Sequence, residues 1–153
     1  ISGPYQMGKV DQGVVVLWMA RHFWKKDLGY FGYGGEGKQV RDILHVQDLF
    51  ELVDWQMHHM DQVNGKTFNA GGGVKSSASL QELTSICEEI TGNKINFQKV
   101  PETRAADLRI YITDNTRITK ELDWKPKIGV KQTMTEIYEW IKANEKELKP
   151  ILY

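Results

Sequence analysis

The sequence predicts a mixed α/β fold built from helices and short strands. Apolar residues recur at helical spacing from Val46 to Met57, whereas Val40 to Leu44 is a short extended pattern that follows a glycine-rich stretch. The chain has 153 residues, of which 41% are apolar, and this is enough for one domain-sized core. Because no long linker or internal repeat divides the sequence, we expect a single unit.

The first two helices differ in how much of their surface is apolar. Val14 to Trp24 is apolar on most sides, which predicts a buried helix. The second helix begins near Val46, and its apolar positions follow i, i+3, i+4 spacing, which predicts one stripe that faces the core. That stripe consists of Val46, Leu49, Phe50, Val53 and Met57.

Two strands are predicted beyond the second helix. Asn64-Gly65 is a turn pair, and Thr67 to Ala70 behind it predicts a strand that ends in three glycines. Ile95 to Val100 predicts a further strand, which ends at Pro101.

Three later helices carry recognisable start or stop signals. Ser79 and Glu82 have the spacing of a capping box, and Gly92 follows the end of the helix that they would begin. Asp114 is a candidate cap for a short helix that ends at Leu122. The last helix is predicted from Val130 to Asn144.

Charge and cysteine content exclude several classes of protein. Lys plus Arg and Asp plus Glu both number 20, so no broad basic field is present to hold nucleic acid. The longest apolar run, Val14 to Ala20, is too short to cross a bilayer. A single cysteine, Cys87, excludes an internal disulfide framework and suggests a reducing cytoplasm. His58 and His59 are adjacent on a helix and point apart, so we expect no metal site there.

Gly32 to Asp42 is the segment most suggestive of ligand binding. Five of the 14 glycines fall between Gly29 and Gly37, and Lys38 and Arg41 add positive charge, so the segment suggests a loop that holds an anion. Its glycines and Lys38 fit most of the phosphate-loop pattern G-x-x-x-x-G-K-[ST]. Gln39 breaks that pattern where a hydroxyl is needed, which argues against a nucleotide triphosphatase.

The run Gly37 to Leu49 resembles the extended short-chain dehydrogenase/reductase family of nucleotide-sugar epimerases and dehydratases. Further matching motifs follow in the family's order along nearly the whole chain. They are Ser2-Gly3-Pro4, Asp11-Gln12-Gly13, Thr67-Phe68-Asn69-Ala70-Gly71-Gly72, Arg104-Ala105-Ala106-Asp107 and Glu121-Leu122-Asp123-Trp124-Lys125-Pro126.

The resemblance implies that residues 1–153 form the carboxy-terminal part of this family's fold. That part comprises the helices and short strands of the substrate-binding domain plus one strand of the Rossmann sheet, which would be Thr67 to Ala70. Asp123 stands where the family often has glycine, at a helix end where we expect no effect.

The resemblance also implies chemistry. The family uses NAD, and the motifs are most similar to those of enzymes that invert C2 of CDP-sugars. Family members bind NAD with a glycine-rich turn and transfer protons with a Tyr-x-x-x-Lys pair, and we expect this chain to hold neither. We therefore expect no catalytic, cofactor-binding or metal-binding residue here, and no activity from this chain alone.

The substrate-binding candidates follow from the matched motifs. Arg41 and Arg104 would hold the diphosphate of a CDP-sugar, because guanidinium groups give paired hydrogen bonds to oxygens. Asp107 would contact the ribose. The alternatives are surface ion pairing for the arginines, core packing for Phe31 and helix capping for Gln12. The other candidates are Gln12, Tyr30, Phe31, Gln39 and Tyr111, with Tyr30 and Phe31 placed beside the base.

Two broader questions stay open at this point. If the chain is not part of a 2-epimerase, two alternatives remain. It is then part of a sibling enzyme, such as a 4-epimerase or dehydratase, or it is a non-catalytic nucleotide-binding module. A strand without its sheet and exposed apolar faces invite partners, so we expect a homo-oligomer.

Overall fold

The computed structural model describes residues 1–7, 13–105 and 107–153, and it has the mixed α/β class that the sequence predicts. Gln12, one of the candidate binding residues, lies outside the described residues. The helices are α1 (Val14–Phe23), α2 (Val46–His58), α3 (Met60–Val63), α4 (Leu80–Thr91), α5 (Thr116–Leu122), α6 (Val130–Ala143) and α7 (Glu145–Leu152). The strands are β1 (Leu28–Phe31), β2 (Val40–Asp42), β3 (Ser77–Ser79), β4 (Phe97–Val100) and β5 (Ile110–Tyr111).

The strands form two small sheets. In one, β1 and β4 are parallel, with Phe31 opposite Val100. In the other the order is β3-β2-β5, where β2 is antiparallel to β3 and parallel to β5. Because β2 is central, Arg41 has register partners on both sides, Ala78 and Tyr111.

The core lies where α1, α4 and α6 pack together. The buried-helix prediction for α1 is confirmed, since every residue from Val15 to Ala20 is buried. Met19, Met134 and Ile137 are fully buried in the same cluster, and burial of each such side chain stabilises the fold by about 1.5–3 kcal/mol. Cys87 belongs to this cluster, and its burial raises the pKa of the thiol. None of the helices in the described part of the chain has the length and apolar character needed to cross a membrane.

Both predicted caps of α4 are confirmed. Ser79 accepts a hydrogen bond from Glu82 N while the Glu82 carboxylate accepts one from Ser79 N, which completes the capping box. Gly92 ends α4 in the left-handed conformation. The N-cap residue of α5 is Asn115 and not the predicted Asp114, although Asp114, one residue earlier, accepts a hydrogen bond from Thr116 N at 2.9 Å.

Asp123 ends α5 in the left-handed region, with φ 50° and ψ 23°. Glycine adopts this conformation without a steric penalty, whereas other L-residues resist it. Because this left-handed backbone favours glycine over aspartate, we predict a small energetic cost at a helix end where the sequence led us to expect none.

The predicted strand at Thr67 to Ala70 does not form. These residues are in neither of the two sheets, and no strand among the described residues pairs with them. A strand is defined by its ladder, so an extended pattern without a neighbour stays irregular. The short strands β1, β3 and β5, in contrast, were not predicted, because two to four residues carry too little periodicity.

The prediction that the apolar stripe of α2 faces the core is wrong. Four of its five members, Val46, Phe50, Val53 and Met57, are 44–68% exposed. The helix instead turns Leu52 and Asp48 inward, and Asp48 accepts hydrogen bonds from Lys127 N at 3.1 Å and Ile128 N at 3.0 Å. Periodicity identified an apolar face correctly, but it did not say whether a neighbour covers that face.

Candidate ligand-binding cleft

A large cleft of about 1250 Å³ opens beside α1, between the two sheets and the segment that follows β4. Its apolar end is built by α1 and β4, and its polar end by β2 together with Glu102, Arg104 and Asp107. Five of the eight candidate binding residues line it. They are Phe31, Gln39, Arg41, Arg104 and Asp107.

Arg41 is positioned by a strand and held by a carboxylate. Its Nη2 lies 2.8 Å from Asp107 Oδ1, and its Nη1 donates to Val40 O at 2.8 Å. Both side chains of the ion pair are about one third exposed, so the guanidinium remains open to the cleft. Arg104 is exposed on the same wall, and its carbonyl accepts from Asp107 N at 3.0 Å, which closes the turn that presents both residues.

Phe31 ends β1 and is 52% exposed within the cleft. Its ring lies over Gly29, where an added Cβ would be 2.5 Å from Phe31 Cε2. Glycine at this position therefore leaves the space in which the ring rests. An exposed aromatic ring that lines a cleft offers a face on which a planar ligand group can stack.

Gln39 is buried behind Phe31. Its Nε2 donates to Phe31 O, so the amide fastens the end of β1 to the start of β2. Its Oε1 has no hydrogen-bond partner among the residues that the structure describes.

The first part of the glycine loop has no backbone N–H group free for an anion, which corrects the interpretation for residues 32 to 35. The N–H groups of residues 32 to 35 are all donated within the protein, and Lys38 Nζ pairs with Glu36 Oε2 at 2.8 Å. Gly35, at φ 66°, packs so closely on β4 that a Cβ would lie 2.9 Å from Val100 N. The acceptors for residues 32 to 35 are, in order, Val100 O, Thr103 Oγ1, Pro101 O and Gly32 O, at 2.7, 2.8, 3.4 and 2.9 Å.

Two other candidates do not line the cleft. Tyr30 turns into the core, stacks on Phe97 with ring centroids 4.5 Å apart, and shares a 2.8 Å hydrogen bond with Thr84. Burial raises the pKa of Tyr30. The prediction that the Tyr30 side chain lies beside the base is therefore corrected, because this side chain packs in the core. Tyr111 is exposed on β5 as the register partner of Arg41, outside the cleft lining.

The sequence did not identify several residues of the cleft. Arg21 on α1 lines it, so three of the chain's five arginines face one cavity. A cation within an otherwise apolar helix was the available signal. Tyr33 is not part of the cleft lining, but its Oη donates to Asp107 O at 2.5 Å and so links the glycine loop to Asp107. No sequence signal indicated this contact.

The expectation that this chain lacks the family's catalytic pattern Tyr-x-x-x-Lys is wrong. Tyr5 and Lys9 have this spacing, and so do Tyr138 and Lys142. Lys9 lies outside the described residues, and Tyr5 lies in a turn, 5.5 Å from the Trp140 ring. The Lys142 ammonium lies 5.6 Å from the Tyr138 ring on α6, outside the cleft lining.

Gly29, Gly32 and Gly35 have the G-x-x-G-x-x-G spacing of a dinucleotide turn, but not its setting. The segment passes from β1 through a short 3₁₀ turn at Tyr33–Gly35 into β2, whereas a dinucleotide turn opens a helix. Asp42 has a structural role, because its Oδ2 accepts from Gly73 N and Thr113 N at 3.0 and 3.2 Å.

Comparison with known proteins identifies the fold and the family. The family model described as GDP-mannose 4,6 dehydratase matches residues 2–137. CDP-paratose 2-epimerase of Salmonella typhi is 34% identical over 110 residues, which are 72% of this chain and 32% of that protein. The chain thus spans about a third of the length of the curated relatives that it matches.

Solved structures agree. UDP-glucose 4-epimerase of Thermotoga maritima with UDP-glucose superposes with a TM-score of 0.73 at 26% identity, over 94% of this chain and 43% of that one. dTDP-glucose 4,6-dehydratase of Bacillus anthracis in complex with NAD gives a TM-score of 0.76 at 25% identity, over 97% and 44%. The chain therefore belongs to the family of nucleotide-sugar epimerases and dehydratases within the extended short-chain dehydrogenases/reductases.

Proposed function

We propose that this chain forms the substrate-binding portion of an NAD-dependent nucleotide-sugar epimerase. The observation that carries the proposal is the convergence of Arg41 and Arg104, from separate segments, on one cleft in which Phe31 is exposed. Two guanidinium groups suit a diphosphate, and an aromatic face suits a base.

In this proposal the diphosphate lies on Arg41 and Arg104. The Arg41 side chain is about one third exposed and is already oriented by Asp107, which lowers the side-chain entropy lost when it binds an anion. Asp107 also offers a carboxylate to a ribose hydroxyl. The loss of one charged hydrogen bond to the diphosphate would weaken binding by about 1.5–3 kcal/mol.

We further propose that the substrate is a CDP-sugar and that the whole enzyme inverts C2 of a CDP-dideoxyhexose through a 2-keto intermediate. The similarity to CDP-paratose 2-epimerase, at 34% identity, supports this choice. The alternative is a related 4-epimerase or dehydratase, or a non-catalytic nucleotide-binding module. Preference for CDP over UDP separates the first alternative from the proposal.

The residues described here do not suit NAD, because the glycine spacing at Gly29 leads into a strand and its N–H groups are used internally. We therefore propose that NAD is bound by the part of the family fold to which this chain does not align, and that this chain alone is inactive. Cys87 is buried and is the single cysteine, which supports a reducing cytoplasm as the site of action.

Calorimetric titration of the chain with CDP tests the proposal. Arg41→Ala and Arg104→Ala should each lower the affinity for CDP by roughly tenfold to a hundredfold. Arg117→Ala is the matched control, because Arg117 pairs with Glu121 at 2.9 Å outside the cleft and should leave CDP affinity unchanged. The proposal fails if CDP does not bind or if all three variants bind it equally well.

A further inference from the structure

Gln39 is a polar side chain buried in the wall of the cleft. Its amide nitrogen makes a hydrogen bond, but its amide oxygen does not. It is 6% exposed, and its Nε2 donates to Phe31 O. A carbonyl oxygen accepts hydrogen bonds and cannot donate one, so this contact fixes which end of the amide is Nε2. The remaining atom, Oε1, is a buried acceptor without a partner in the described part of the chain.

Buried acceptors are nearly always satisfied in folded proteins, and an unsatisfied one calls for an explanation. Gln81 shows the ordinary arrangement, because its Nε2 donates to Glu36 O at 2.6 Å while its side chain is exposed to water. Gln39 lacks that access to water. An oxygen in this position gains a partner when a ligand with a hydrogen-bond donor enters the cleft.

The position of Gln39 along the cleft indicates which part of a nucleotide would reach it. Gln39 directly precedes β2, and both Gln39 and Arg41 line the cleft. Gln39 also contacts the backbone of Phe31 directly. A nucleotide that extends from the Phe31 ring to the Arg41 guanidinium therefore passes Gln39 at its nucleoside end.

We propose that Gln39 Oε1 accepts a hydrogen bond from the exocyclic amine of a cytosine base and so makes the cleft selective for cytidine over uridine nucleotides. This inference rests on the proposed nucleotide site. Cytosine carries an amine donor at its 4-position, and uracil carries a carbonyl acceptor at the same place. A uracil carbonyl opposite Gln39 Oε1 would leave two acceptors facing each other without a proton between them.

The test compares the affinities for CDP and UDP of the wild-type chain and of Gln39→Met. This substitution keeps the side-chain length and removes both the amide oxygen and the amide nitrogen. The wild-type chain should bind CDP at least tenfold more tightly than UDP, and Gln39→Met should bring the ratio close to one. Gln81→Met removes a similar amide-to-carbonyl hydrogen bond outside the cleft and should keep the wild-type ratio.

A purely structural role for Gln39 would weaken both nucleotides equally in Gln39→Met and leave the ratio unchanged, which would overturn the inference. A measurement on the wild-type chain guards against misfolding of the variant. CDP dimethylated at the exocyclic nitrogen should bind as weakly as UDP, whereas 2′-deoxy-CDP should keep the preference. If 2′-deoxy-CDP loses affinity and UDP binds as well as CDP, the donor is a ribose hydroxyl and the inference fails. Absence of any CDP binding would instead overturn the proposed function itself.

Discussion

Arg41 and Asp107 lie 66 residues apart in the chain and meet in the cleft, with Arg41 Nη2 2.8 Å from Asp107 Oδ1. Each side chain is about one third exposed, and ion pairs of this kind contribute up to about 1 kcal/mol to stability. The pair therefore matters more for position than for stability. It holds the guanidinium in place, but it also occupies an N–H group that a diphosphate would use.

Removal of the Asp107 charge should strengthen diphosphate binding. In Asp107→Asn the side-chain oxygen can still accept from Arg41, while the negative charge that competes with the ligand is lost. We expect the affinity for inorganic diphosphate to rise roughly two- to fivefold, in proportion to an ion pair of up to about 1 kcal/mol. Isothermal titration at low salt measures this change.

Asp27→Asn is the matched control, because Asp27 also lines the cleft but accepts from Asn96 at 3.3 Å. It should leave diphosphate affinity nearly unchanged. Weaker diphosphate binding in Asp107→Asn would mean that the carboxylate is needed to orient Arg41 and does not compete with the ligand. CDP should gain less than diphosphate does if Asp107 also contacts the ribose.

Local sequence signals predicted local structure well. The capping box of Ser79 and Glu82, the left-handed Gly92 and the buried helix α1 each depend on residues a few positions apart, and each is present. The approach of Arg41 and Arg104 to one cleft came from the family resemblance. No local pattern in the sequence joins two segments this far apart.

The wrong predictions share a physical cause, because a local sequence pattern does not show which other segment packs against it. The apolar face of α2 and the extended segment at Thr67 to Ala70 were both visible, but burial and strand pairing depend on what lies opposite. The same limit applies to the glycine loop, where the N–H groups of residues 32 to 35 donate to acceptors in residues 100–103 and to Gly32 O. Glycine content gave the loop its flexibility but could not show where its donors point.

Asp123 offers a test of backbone strain at the end of α5. Asp123→Gly should raise the free energy of unfolding by a few tenths to about 1 kcal/mol, because glycine adopts the left-handed conformation without a Cβ penalty. Urea denaturation followed by circular dichroism measures the difference. Lys120→Gly, inside the same helix, should instead lower stability by about 1 kcal/mol. Equal losses in both variants would contradict the strain argument.

The burial of His22 leads us to predict that the stability of the fold depends on pH. Burial is the largest cause of its lowered pKa, and hydrogen bonding to Trp18 O and the charge of Glu88 oppose that shift. The folded state therefore resists protonation that the unfolded state accepts near its pKa of 6.5. Stability should fall as the pH drops below about 6.5, by up to about 1.4 kcal/mol per pH unit, until the folded-state pKa is passed.

Urea unfolding of wild type and His22→Leu between pH 7.5 and pH 5 separates this contribution from that of other groups. The stability of wild type should fall more steeply than that of His22→Leu over this range. His58→Leu is the control, because the His58 side chain is 70% exposed and its removal should leave the wild-type pH profile of stability unchanged. Parallel pH profiles for wild type and His22→Leu would show that burial of His22 carries no such penalty.

The exposed face of α2 predicts self-association. Val46, Phe50, Val53 and Met57 form one apolar stripe on the surface, and such a surface is stabilised when a second copy covers it. The expected homo-oligomer should appear as a rise in mass with concentration in light scattering. The double variant Phe50→Ser/Met57→Ser should shift the chain toward the monomer without loss of helix content, because both side chains are exposed. Val74→Ser removes an equally exposed apolar side chain from another surface and should not change the association. A monodisperse monomer at high concentration would mean that this face stays open to water in the isolated chain.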